Sequence, residues 1–441
     1  MEWVGAVTGG AIISAQRTAT GASRGTWLVD VRAPGGEVRE LVLRHDTGDG
    51  PLSGSELTMG REAKLLKALY AAGIRAPQVV AVSGDGNSTL VVRVPGTSDY
   101  SGLTDDQREA VMTDFFTELA RVHSLDIGPL DVDFRRPATP AENPLVDLDL
   151  WEGHFKTFRR SASSMPLVAW AFAWLRRNAP TNAERTSVCH GDCGPGNFLH
   201  HQGKVSAILD WEFSHFGDPM DDLGWVVWRA ASMGEAFLTR HFERYGALAG
   251  VTVDWRRIRY YEIFVQVRMA VACLGALERR SGNMNAAIYF NVAPALEARI
   301  VSLIAHYEGV DLPPIALPEG SQGTIESEVA DTLISDLSQV IIPSLTDDVV
   351  NQRAGGDLTL LMHLRAVDQR GAGLEMAELA SLASLLGARP SSLADGWATL
   401  GKLVADAAGA RHQQLLAHFH QTAAFHAALW PGIGNIMRAA A

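Results

Sequence analysis

The segment His190-Gly191-Asp192-Cys193-Gly194-Pro195-Gly196-Asn197, followed by Ile208-Leu209-Asp210-Trp211-Glu212, holds the residues of this chain best suited to chemistry. Asp192 and Asn197 stand five apart, and Asp210 follows Asn197 by thirteen. That spacing suits transfer of a phosphoryl group from a nucleotide to a hydroxyl. A hydroxyl is a poor nucleophile in water. A carboxylate within hydrogen-bond reach orients it and takes its proton as the new P–O bond forms, and Asp192 is the candidate base. Asn197 offers a neutral amide oxygen and Asp210 a charged one, hard donors that suit Mg²⁺ with phosphates and water as its other ligands. Each residue also has a plain reading: a tight turn at His-Gly-Asp, a turn residue after Gly196, a cap at a strand end. Their common register favours the functional one. Asp210 also ends the apolar run Val205–Leu209, where a buried charge without compensation is costly. His190 reads as a brace for the loop by hydrogen bonding rather than as a reactant.

Upstream, Thr20-Gly21-Ala22-Ser23-Arg24-Gly25 lies between two β-type runs. Small residues such as Gly21 and Ala22 let backbone N–H groups approach phosphates, and Ser23 adds a hydroxyl. Such turns are also ordinary hairpins. No lysine occurs before Lys64, so the cation that would grip phosphates from the third strand must be Arg44, a bidentate donor. Its alternative is a strand-end arginine in solvent. Glu62 sits on the otherwise apolar stripe Met59-Glu62-Leu66-Leu69. A carboxylate on such a face needs a cation, and Arg44 is the candidate partner. Asp218 and Asp222, just beyond Asp210, both read as structural, each either a helix cap or a brace for the catalytic loop.

The elements that must position these residues fall into segments. Residues 11–95 predict a small, mostly antiparallel sheet with one helix over about 55–72, strands near 12–17, 27–31, 41–44, 79–82 and 89–94, and turns at Gly-rich breaks. From Leu103 the pattern turns helical, with Thr104-Asp105-Asp106-Gln107 as a capped start. Residues 130–150, rich in Pro and Asp, predict irregular structure. The motif region is short β-type runs with loops, and 220–309 is helical again. Residues 311–324 read as a linker, and 325–441 as a separate helical domain.

The acidic balance, 38 Lys and Arg against 50 Asp and Glu, argues against general nucleic-acid binding. No run of eighteen apolar residues appears, so no membrane span is expected. The start shows no signal peptide, and three cysteines are too few for a disulfide framework; a cytoplasmic location fits both.

Taken together, Gly21–Trp27, Val42-Leu43-Arg44, His190-Gly191-Asp192 with Asn197, Asp210-Trp211-Glu212 and Gly217-Asp218-Pro219 with Asp222-Leu223 resemble the aminoglycoside phosphotransferase-like kinase superfamily. The likeness is greatest to the module fused to some acyl-CoA dehydrogenases, and covers about residues 10–310. The resemblance implies an α+β, bilobal protein-kinase-like fold with a C-terminal helical domain: 1–95 as the nucleotide-binding lobe, 96–310 as the helical lobe. It implies ATP and Mg²⁺ as cofactors, Asp192 as base, Asn197 and Asp210 as metal ligands, Arg44 where most kinases carry lysine, and an adenine site at Val92-Arg93-Val94. Two departures stand out. Arg24-Gly25 replaces a common Asn-Pro, and Cys193 replaces an aromatic.

The expected activity is a small-molecule kinase acting on a hydroxyl. An aminoglycoside kinase and a nucleotide-binding pseudokinase scaffold are the alternatives, the latter opposed by the intact catalytic set. A homodimer through 325–441 is a further expectation. Residues 224–280 hold nine arginines against five acids, a local reversal of the overall charge, which points to an anionic or amphipathic acceptor.

Overall fold

The computed structural model describes residues 1–18, 24–48, 50–100, 102–158, 165–279, 285–405, 407 and 409–430. Gly21, Ala22 and Ser23 of the expected phosphate loop lie outside these. Packing divides the chain into one unit of Met1–Asp147 with Pro180–Glu262, and a second of Leu148–Ala179 with Ile263–Ala441. These divisions differ from the breaks at 96, 311 and 325 suggested by composition.

The first unit opens with helix α1 (Glu2–Thr8), then strands β1 (Ala11–Arg17), β2 (Gly25–Arg32) and β3 (Val38–His45), helix α2 (Met59–Ala71), and strands β4 (Val79–Val82) and β5 (Ser88–Val92). The strands form one antiparallel sheet in the order β1-β2-β3-β5-β4. Alternation along each strand sorts its side chains. Val29, Val31, Leu41, Leu43 and Leu90 build a core with Val4 of α1. Thr26, Leu28, Val42, Arg44, Thr89 and Val91 therefore fall on the opposite face, where they line a cleft. Thr26 faces Arg44 across β2–β3, and Arg44 faces Thr89 across β3–β5. Helix α2 begins at a Thr58 cap and buries Met59, Glu62, Leu66 and Leu69, the stripe read from the sequence.

Helix α3 (Asp105–His123) starts at the expected capping box, with Thr104 and Gln107 bonded reciprocally. The 130–150 stretch is not irregular throughout. Helix α4 (Asn143–Thr157) follows a single 3₁₀ turn at Pro140–Glu142. Pro140 and Pro144 sit at helical starts, where a missing N–H costs nothing, while Pro137 lies in irregular chain. Helix α5 (Pro166–Arg177) comes next in the chain. The motif region then forms β6 (Ser187–Cys189), β7 (Phe198–His201), β8 (Lys204–Ile208) and β9 (His215–Gly217), paired as β6–β9 and β7–β8. Helices α6 (Pro219–Arg229), α7 (Glu235–Ala249) and α8 (Trp255–Arg279) follow.

The second unit is helical. It holds α5, α9 (Ala286–Glu308), α10 (Ile325–Asp336), the short α11 (Ile342–Ser344), the long α12 (Asp348–Leu386), α13 (Leu393–Leu403) and α14 (Ala410–Ala428). Its core includes Ala295 and Trp430, with Trp430 stacked on Phe290 of α9 and His363 of α12. Trp170 of α5 stacks on His412 of α14. Helices beyond residue 325 thus share their core with α5 and α9. Among the described residues, two helices, α8 and α9, are long and apolar enough to cross a membrane by length and composition alone. The apolar window of α8 is 94% buried within the protein, as in the core helix of a folded domain.

Candidate active site

The loop between β6 and β7, which carries Asp192 and Asn197, is held by α6. Asp218 caps α6, accepting from the Met220 N–H at 3.0 Å, and pairs with Arg257. One turn on, Asp222 accepts the backbone N–H groups of His190 and Gly191 at 2.8 and 2.9 Å and the His123 ring at 2.9 Å. Burial works to raise the Asp222 pKa, but these donors and the His123 charge bring it down to about 2. Asp222 is therefore a fully ionised brace, as its place after the motif suggested. His190 braces too. Its Nδ1 accepts from the Asp192 N–H at 3.1 Å, which leaves Nε2 as donor to the Leu209 carbonyl at 2.7 Å. Gly191 has φ of 79°, and a Cβ there would lie 2.3 Å from the Phe213 carbonyl oxygen, so only glycine fits this turn.

Asp192 and Asn197 meet directly. The Asn197 amide nitrogen donates to the Asp192 backbone oxygen and to its Oδ2, both at 2.7 Å. Asn197 lines the cleft together with Asp210. The Leu209 N–H donates to the Asn197 carbonyl at 2.8 Å and fixes the strand end beside it. Asp210 itself has φ of 64° and ψ of 59°, a left-handed backbone unusual for a residue with a side chain. Such conformations persist where surrounding structure enforces them, and they cluster at functional sites.

Arg44 and Glu62 pair directly, and Arg44 also donates to Asp210 Oδ1 at 2.7 Å. Glu62 accepts in addition from the Trp211 N–H at 3.1 Å. Burial alone would lower the Arg44 pKa, but the carboxylates of Glu62, Asp210 and Glu212 outweigh it and hold the guanidinium charged. Arg24 lines the same cleft. Its guanidinium is turned onto Asp46 at 2.7 Å and Glu212 at 3.6 Å, and donates to the Leu57 carbonyl at 3.1 Å. In this state it holds carboxylates rather than an open phosphate position. Val92 and Val94 line the cleft at its apolar end with Leu28, Val42, Val91, Leu199 and Leu209; the cavity measures about 470 Å³.

Two residues escaped the sequence reading. Glu212 stood in the quoted motif without a role. It is buried among Arg24, Arg44 and Asp210, and burial followed by the Asp210 charge pushes its pKa up to about 8. Arg229 was counted only as one of nine arginines. It clasps Asp192 with Nε to Oδ1 at 2.7 Å and Nη2 to Oδ2 at 2.5 Å. Burial raises the Asp192 pKa, and Arg229 pulls it back. A second cavity of about 990 Å³ opens beside Arg229, lined by Tyr100, Arg108, Pro195, Met233, Phe237 and Arg240 among others. Other members of the nine are engaged elsewhere: Arg257 with Asp218 and Asp254, Arg259 with Glu262. Of the acids on the cavity wall, Asp105 pairs with Arg108 and Glu109 with Arg240. Of the nine, Arg229 and Arg240 line this cavity.

The three buried cysteines are free thiols. Cys193 donates to the Asp222 carbonyl at 3.1 Å.

Residues 14–261, more than half of the chain, match the APH phosphotransferase enzyme family. The chain belongs to that family. Among curated proteins, it is 30% identical to acyl-CoA dehydrogenase family member 10 of Mus musculus over 42% of this chain and 18% of that protein. The chain thus spans less than a fifth of that relative. It is 27% identical to an aminoglycoside 3'-phosphotransferase of Enterococcus faecalis, over 40% of this chain and 66% of that one. Among solved structures, a protein described as an aminoglycoside phosphotransferase from Ralstonia eutropha superposes with a TM-score of 0.51 at 20% identity, covering 68% of this chain and 94% of that one. That likeness confirms the α+β kinase-like fold with a helical C-terminal region. The phosphotransferase match ends near the close of the first unit, so the site described above lies within it.

Proposed function

We propose that the chain transfers the γ-phosphoryl group of ATP to a hydroxyl of a small molecule, with Asp192 as base. The observation that carries this reading is that Asn197 and Asp210 line one cleft next to the Arg44–Glu62 pair, with Asp192 hydrogen-bonded to Asn197 beside it. Adenine fits the apolar end of the cleft. There the Val92 and Arg93 N–H groups already donate to Gln78 and Glu40, which leaves the Val94 N–H for the base edge. Arg44 reaches the phosphates from β3. Asp210 and the amide oxygen of Asn197 would hold Mg²⁺, which supplies charge neutralisation at the phosphates. The charge balance supports that fit. Arg24 and Arg44 face Asp46, Glu62, Asp210 and Glu212, so carboxyl groups outnumber cations in this cluster. Burial and then this crowding push Glu212 up to about 8, and a divalent cation would relieve the crowding.

In the reaction the acceptor oxygen attacks phosphorus as its proton passes to Asp192, the bond from phosphorus to the bridging oxygen breaks, and ADP leaves. The acceptor enters through the cavity beside Arg229, where apolar Tyr100, Met233 and Phe237 alternate with Arg108, Arg229 and Arg240. Of its three acids Asp105 and Glu109 are paired with arginines and Asp106 is the third, and its apolar Tyr100, Met233 and Phe237 favour an anionic or acyl-type hydroxy compound over a polycation. An aminoglycoside, the acceptor named for the Enterococcus faecalis relative, is the second reading. An ATP-consumption screen over hydroxylated compounds, including hydroxyacyl thioesters and aminoglycosides, separates them. Efficient turnover of kanamycin-type compounds without turnover of anionic hydroxy compounds would contradict the anionic assignment. A screen in which no hydroxylated compound raises ATP consumption above the basal rate would contradict the kinase reading.

A further inference from the structure

We propose that Arg229 is a positioning residue for phosphoryl transfer: it fixes the Asp192 carboxylate so that one lone pair, on Oδ1, is left to take the acceptor proton. The inference rests on the kinase reading of the site and assigns a residue that the family motifs do not contain.

A carboxylate has about four lone-pair positions. On Asp192, Oδ2 accepts from Arg229 Nη2 at 2.5 Å and from Asn197 Nδ2 at 2.7 Å. Oδ1 accepts from Arg229 Nε at 2.7 Å. These three bonds fix both the rotamer and the plane of the group, and they leave one direction on Oδ1. A two-point guanidinium clasp does this better than a single ammonium, because the planar fork sets an orientation as well as a distance.

The loop is shaped around this arginine. Gly194 has φ of 133°, and a Cβ there would sit 3.1 Å from Arg229 Cβ and 3.2 Å from its Cδ. Gly196 has φ of 98°, and a Cβ there would sit 3.3 Å from Arg229 Nη1. Between them, the Pro195 carbonyl accepts from Nη1 at 3.2 Å. The arginine therefore runs along the loop from the end of α6 to the base, and both glycines make room for it.

Helix α6 explains why the contact is rigid. Asp222 and Arg229 are seven residues apart, two turns, and so share one face of the helix. Asp222 holds the backbone at His190 and Gly191, and Arg229 holds the side chain of the next residue. One helix thus grips the catalytic loop at two points. A cation at a helix C-terminus is also favoured by the helix dipole.

The test uses the full chain with Mg·ATP, reading basal ATP hydrolysis with water as acceptor and, once the screen supplies one, transfer to the acceptor. Arg229→Ala is expected to lower kcat by about 100-fold, as for a weakened positioned base, with the KM for ATP and the calorimetric affinity for Mg·ATP unchanged. Tens of millimolar guanidinium should restore part of the lost rate saturably, and ammonium should not. Arg229→Lys should fall between the two. The double variant with Asp192→Asn should be no slower than Asp192→Asn alone, because Arg229 acts through that carboxylate. A kcat within a few-fold of wild type in Arg229→Ala would overturn the proposal. So would a loss confined to thermal stability, or a rate loss unmoved by guanidinium. If Asp192→Asn itself keeps wild-type turnover, the base assignment fails first and this inference falls with it. An inactive Asp192→Asn beside a fully active Arg229→Ala sinks the inference alone.

Discussion

Arg44 takes the place that a lysine would fill, and the site around it shows why an arginine serves. Its planar fork meets Glu62 on one side and Asp210 on the other at once. The pair with Glu62 was legible because a carboxylate on an apolar helical stripe must find a cation, and the sequence offers no lysine before that helix. Glu212 was not legible in the same way. It is two residues from Asp210, and only the left-handed backbone at Asp210 turns it back toward Arg24 and Arg44. Nor was Arg229, whose partner lies 37 residues earlier; the available signal was its seven-residue offset from Asp222 on one helical face. Arg44→Ala should weaken Mg·ATP binding, and Glu62→Ala should do so partly by releasing Arg44. Calorimetry on the two single variants and the double should therefore show effects that do not add. Strict additivity would mean that Glu62 does not act on the nucleotide through Arg44.

At the level of elements, the five-stranded sheet, the capping box of α3 and the β7–β8 hairpin around the motif follow from alternation and turn chemistry that single residues announce. Helices α1 and α4 did not announce themselves. Helix α1 is seven residues long and gains its stability from packing Val4 against the sheet, and α4 hides behind Pro140. In the helical unit, α14 is tied to α9 and α12 by His426, which pairs with Glu297 at 2.7 Å and approaches Glu378 at 3.8 Å. Burial alone would lower the His426 pKa, but Glu297 and Glu378 raise it to about 9 from 6.5. A raised folded-state value means that the pairing contributes fully below pH 6.5 and is lost as pH climbs through 9. Melting curves recorded from pH 6 to pH 10 should show Tm of wild type falling across that window, and falling less in His426→Gln, which starts lower. Parallel slopes for the two proteins would show that this pair does not anchor the three helices.

For the whole molecule, the sequence break at 311–324 suggested a module boundary, because a Pro- and Gly-rich stretch between helical segments usually marks one. The packing is otherwise. Ser321 N–H donates to the Gln369 carbonyl at 2.8 Å and Thr324 N–H to Asp368 at 2.7 Å, so the stretch is pinned to α12. His412 of α14 contacts Glu308 of α9 at 2.9 Å, and Trp170 of α5 donates to the same histidine at 3.3 Å. A division that depends on which helices pack together is not written in local composition. Limited proteolysis within 311–324 should yield two fragments that co-elute on size exclusion under native conditions. Fragments that separate would restore 325–441 as an independent domain.

The account as a whole stands on Asp192 as the group that takes the acceptor proton. Its most direct test is Asp192→Asn, which keeps the shape and the loop but cannot accept a proton. Phosphoryl transfer from γ-labelled ATP and calorimetric binding of Mg·ATP are measured on the same preparation. The account predicts a fall in transfer on the order of 10²–10⁴-fold with Mg·ATP affinity essentially retained; turnover within a few-fold of wild type would contradict it.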